Sequence, residues 1–168
     1  FDLMTDHQQK IEQLVGKEKV REKMVNACHR TAKKAIEFEA VELLNEAKAK
    51  MKKHVPDEAD AFAMEMDMMY YGHFGDAKKY LSACEQYVKK EVKNDARKLN
   101  KTAQELLETF PSDKKAMNFA EKISKKAAEN GGLSSYYYTY ASVLLQNDKK
   151  SQALKVARKA LKMAKEMR

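Results

Sequence analysis

Apolar residues recur three and four positions apart along nearly the whole chain, the period of an amphipathic helix and not the alternation of a strand. Leu3, Ile11, Leu14 and Val15 outline a first helix over 2–15, stopped by Gly16. Val20, Met24, Ala27, Cys28, Ala32, Ala35 and Ile36 trace a second over 17–38, and Val41, Leu44, Ala47 and Met51 a third over 39–53. Pro56 disfavours helix at Val55 and Asp57 suits an N-cap, so a fourth helix is predicted over 58–71, with Gly72 as its terminator. A fifth, 77–93, offers Tyr80, Ala83, Cys84, Tyr87 and Val88 on one face. The sixth follows Asn94-Asp95, carries Leu99, Ala103, Leu106, Leu107 and Phe110, and stops at Pro111. Ser112 or Asp113 caps a seventh, which presents Met117, Ala120, Ile123, Ser124 and Ala127. After the break at Asn130-Gly131-Gly132, Tyr137, Ala141 and Leu144 share one face of an eighth helix. Asn147-Asp148-Lys149-Lys150 ends it, and Ala153, Ala157 and Ala160 form the small-residue stripe of a ninth.

Composition agrees with this pattern. The 168 residues hold five Gly and two Pro, too few for a protein built from many β-turns, and are rich in the good helix formers Lys, Glu, Ala, Met and Leu. The predicted class is all-α. The helices pair as 2/3, 4/5, 6/7 and 8/9, and the landmarks Ala120/Ser124/Ala127 return 33 residues later as Ala153/Ala157/Ala160. The unit 134–165 therefore resembles a tetratricopeptide repeat. The expected architecture is an α-α superhelix of about four helix-turn-helix units, irregular and tetratricopeptide-like, with 1–168 as a single helical repeat domain.

Charge refines the picture. The net charge is +8, but 54–75 carries five acids and no Lys or Arg, whereas 131–168 carries eight Lys/Arg against two acids. The last helix sets Lys155, Arg158, Lys159, Lys162 and Lys165 against Ala153, Ala157, Ala160, Ala164 and Met167. Alanine inserts poorly into lipid, so this helix reads as a polar cap on the stack and membrane binding is not expected. Nucleic-acid binding by the same basic helix is the alternative function, although basic and acidic residues are interleaved over most of the rest of the chain.

Candidate chemistry is sparse. Cys28 and Cys84 stand 56 residues apart with no CxxC or Cys/His spacing, which indicates neither zinc nor dithiol chemistry and favours two buried free thiols, with a single long-range disulfide as the alternative. His7, His29, His54 and His73 are dispersed, with no i,i+4 pair. Asp57, Glu58, Asp60, Glu65 and Asp67 read as a helix start and a solvated face. Met64, Met66, Met68 and Met69 cover several faces of one helix, the pattern of a helix buried between neighbours. No catalytic, metal-binding or cofactor-binding residue is assigned, and the chain is not expected to be an enzyme. By the repeat resemblance Tyr138 faces the concave side, with Ser142 and Leu145 one and two turns on, and these three are the candidate binding residues.

The chain as a whole resembles the helical C-terminal region that follows thioredoxin-like domains in Bacteroidetes-type thiol-disulfide exchange proteins. The resemblance lies in Val15-Gly16-Lys17-Glu18, Asp67-Met68-Met69-Tyr70-Tyr71 with Gly75-Asp76, Leu99-Asn100-Lys101-Thr102-Ala103, 113–127 and 135–145. It implies a periplasmic setting, a thioredoxin-like domain preceding Phe1 and a junction at 1–16. The opening on Phe1, inside an apparent helix, agrees with a piece of something longer. The implied function is a non-catalytic interaction or scaffolding domain, binding a protein or peptide, with the neighbouring thioredoxin-like domain as one partner.

Overall fold

The computed structural model describes residues 5–166, which form nine α-helices and one π-helical segment with no strand among them. The chain is all-α, as the periodicity requires. In order the helices are α1 (Gln8–Val15), α2 (Lys17–Glu37), α3 (Val41–His54), α4 (Pro56–His73) and α5 (Ala77–Tyr87), which runs on through the π-helical Val88–Val92. They continue as α6 (Ala96–Thr109), α7 (Lys114–Gly131), α8 (Ser134–Gln146) and α9 (Lys150–Glu166). Leu3 and Met167 lie outside the described residues. The helices cluster into two compact units, Phe1–His73 and Phe74–Arg168, with the boundary falling inside the expected fourth–fifth pair.

In the first unit α3 packs on both α2 and α4. Its core is drawn from the predicted faces: Val20, Met24, Cys28, Ala32, Ala35 and Ile36 meet Leu44, Ala47 and Met51, then Ala59, Phe62 and Met66. Met64 and Met68 are buried as well, while Met69 is exposed. Of the face expected on α1, Ile11 is half-buried against the core, but Leu14 and Val15 are exposed.

Several boundaries differ from the sequence reading, and three of the differences have a clear local cause. Helix α3 starts at Val41, not Glu39, because Glu39 takes a positive φ of 56° in the turn. Helix α4 starts at Pro56, whose missing N–H costs nothing in a first turn, so Asp57 sits inside the helix and is not its cap. Gly72 lies within α4, and the chain turns at Gly75, whose φ of 70° a side chain would resist.

In the second unit α6, α7, α8 and α9 pack successively, each on the next, and α5 touches α7. Aspartates start three of these helices by accepting a backbone N–H from the first turn: Asp76 from Lys79 at 3.0 Å, Asp95 from Lys98 at 3.0 Å and Asp113 from Ala116 at 2.7 Å. Leu99, Ala103 and Leu106 of α6 are fully buried, as are Ala120, Ala127 and Ala128 of α7 and Val143 and Leu144 of α8. Gly131 is the last residue of α7, and only Gly132 turns left-handed, at φ 61°.

Candidate interaction surface

Helix α8 lies between α7 and α9, and its tyrosines divide accordingly. Tyr136 lies against Gly131 so closely that a Cβ there would sit 2.4 Å from the ring. Tyr137 receives Lys159 from α9: the ammonium donates to the phenol oxygen at 2.9 Å and lies 4.1 Å from the ring centroid, a cation–π geometry. Tyr140 is half-buried, and burial raises its phenol pKa, with Glu121 and Glu129 adding to the rise.

The turn after α8 is tied down by polar contacts. Gln146 donates to the Pro111 carbonyl at 2.9 Å. Asn147 donates to the Met117 carbonyl at 3.2 Å and to Glu121 at 2.6 Å, and Lys149 pairs with the other Glu121 oxygen at 2.6 Å. Asn147 and Lys149, read from sequence as a helix break, thus also fix α8 and α9 onto α7. Long-range partners of this kind leave no local signal in a sequence.

What neither neighbour covers is the edge carrying Tyr138, Ser142 and Leu145. Tyr138 is 68% exposed and Leu145 56% exposed, at i and i+7 on one helix face with Ser142 between them. The Ser142 hydroxyl donates back to the Tyr138 carbonyl at 3.1 Å, so its hydrogen is committed to the helix backbone. The three candidates therefore lie together, with an aromatic and an aliphatic side chain presented to solvent.

The other candidate groups form no second centre. Arg21 bridges Asp57 at 2.5 Å and Glu58 at 2.6 Å, and its guanidinium holds the Asp57 carboxyl below the usual range. Lys48 pairs with Asp67. His29 stands edge-on to Phe62 at 4.8 Å, the packing of a structural ring. Cys28 and Cys84 are buried free thiols; burial raises both, Cys84 to about 12, where the reactive thiolate is scarce. Among the described residues no three His, Cys, Asp or Glu converge to hold a metal ion, and no helix is long and apolar enough to cross a membrane.

Sequence reasoning missed Leu154 and Leu161 on α9, which are 54% and 58% exposed. Of the stripe expected to pack, Ala153 and Ala160 are buried, Ala157 is half-buried and Ala164 is exposed. The final helix is therefore not a wholly polar cap. The signal in the sequence is two leucines a heptad apart beside the alanine stripe.

Compared with known proteins, the chain matches no protein-family model, no curated protein and no solved structure.

Proposed function

We propose that this chain is a non-catalytic helical interaction domain that binds a protein or peptide segment along the uncovered edge of α8. The observation that carries this reading is the pairing of Tyr138 and Leu145, exposed on one face of a helix whose other sides are packed. A tyrosine combines a large apolar ring with a hydrogen-bonding tip and loses little rotamer freedom on contact, which suits it to anchor a partner. The tetratricopeptide-like stacking is part of the proposal. Its support is the 33-residue return of small residues, buried at all of these positions except the half-buried Ala157, and the successive packing of α6 through α9. On the resemblance of 67–71, 99–103 and 135–145, the proposal extends to a periplasmic setting beside a thioredoxin-like domain.

The test is selection of displayed random peptides on the immobilised chain, with each enriched peptide then measured against Tyr138→Ala and Leu145→Ala. Loss of a hot-spot anchor weakens such peptides by about tenfold or more. Enrichment of nothing, or of peptides indifferent to both substitutions, overturns the reading.

A further inference from the structure

We infer that α9 carries a second docking surface, separate from the α8 edge, whose occupant is an acidic amphipathic helix. The first ground is internal. Moving back one 33-residue period places Leu154, Ala157 and Leu161 on Glu121, Ser124 and Ala128 of α7. There Ser124 and Ala128 are fully buried and the Glu121 side chain is only 19% exposed. Helix α8 packs on α7, and the turn that follows it bonds Glu121. The same face of α9 is thus shaped to receive a helix, yet its leucines are more than half exposed.

The second ground is charge. Taking about 100° per residue, Leu161 and Leu154 lie side by side along α9. Lys165, Arg158, Lys162 and Lys155 follow in order around one border. Lys159 lies further round and is engaged with Tyr137. The one acid among residues 150–166 is Glu166, which approaches Lys162 at 3.8 Å. Lys150, the first residue of α9, lies on the other border, so four of the five cations beside the apolar stripe are on one side. Such a stripe is met by a helix with leucine-like residues at i and i+7 and carboxylates along the adjoining edge. Antiparallel two-fold pairing of two copies through this stripe would bring the two basic borders together, so that mode of self-association is disfavoured by repulsion.

The probe is a fluorescent designed helix of about 18 residues, or five turns, with leucine at i and i+7 bordered by glutamates; a second carries lysines in place of the glutamates. The expected result on the unaltered chain is saturable binding of the acidic helix at least about tenfold tighter than the basic one, weakened by added salt. Leu154→Gln with Leu161→Gln abolishes it, Arg158→Glu with Lys165→Glu reverses the preference, and Tyr138→Ala leaves it intact. Circular dichroism of each variant confirms helix content, and the two-helix comparison needs no variant. Equal binding of the two helices, or no binding of either, overturns the inference. So does a concentration-dependent dimer lost in the leucine variant, which makes a second copy the occupant. Salt-dependent binding of single-stranded RNA that outcompetes the acidic helix and ignores the leucine changes also overturns it.

Discussion

Gly131→Ala puts the packing of α8 on α7 to a quantitative test. The residue is the last of α7 and does not have a positive φ, so its backbone suits alanine. What it lacks is room: an added Cβ would lie 2.4 and 2.6 Å from the Tyr136 ring and 2.9 Å from the Ala96 Cβ. The ring can rotate away, but Ala96 sits at the start of α6 and yields only by a backbone shift. Overpacking of this kind costs about 1–3 kcal/mol. Replacing a helical glycine returns up to about 1 kcal/mol, and less at a terminal position. The net expectation is a loss of about 1–2 kcal/mol, or a fall in Tm of about 2–8 °C for a chain of this size. Urea titration followed by far-UV circular dichroism measures it directly. In a Tyr136→Ala background the penalty shrinks, since two of the three close contacts are ring atoms. Gly132→Ala supplies the contrast: nothing lies within 4 Å, but its φ of 61° costs a side chain about 1–2 kcal/mol whatever residue 136 is. A Gly131→Ala protein more stable than the original would refute the argument, showing that α6, α7 and α8 are not in close contact at this point.

Asp113→Ala removes the acceptor of the Ala116 N–H and lowers stability by about 1 kcal/mol in the same titration. The Asp76 carboxyl is held below its usual range, first by the Lys79 backbone N–H; the folded pKa is depressed, so its contribution is present at neutral pH and fades as pH falls through that value. The stability gap between the unaltered chain and Asp76→Ala should therefore close in acid. Cys84 is raised, so its contribution is complete below the usual thiol value of 9.0 and is lost as pH climbs from there towards about 12. Cys84→Ser should flatten that alkaline decline, and a thiol reagent at neutral pH should label both cysteines in urea but neither in buffer. Met24→Ala in the first core should cost about 2–5 kcal/mol, since the side chain is fully buried.

Most of the helical skeleton could be read from the chain because its determinants are local. Period-3.6 spacing placed the buried faces of α2, α3, α6 and α7, and the starts at Asp76, Asp95 and Asp113 depend on a backbone N–H three residues away. That Tyr138, Ser142 and Leu145 share a face also follows from helical spacing alone. The differences arise where distant residues decide. Gly131 and Gly132 look alike as breakers, but only Gly132 needs a glycine's backbone; Gly131 is glycine because Tyr136 and Ala96 approach it. Asn147 looks like a simple stop until Met117 and Glu121 supply its partners. Leu154 and Leu161 carry the same hydrophobic character as Leu144, yet they are exposed because α8 takes one side of α9 and nothing among the described residues covers theirs. Helix positions and inward faces were thus written in short-range spacing and hydrogen bonding. Which apolar residues stay uncovered was decided by how the helices pack, because burial depends on neighbours far away in the chain.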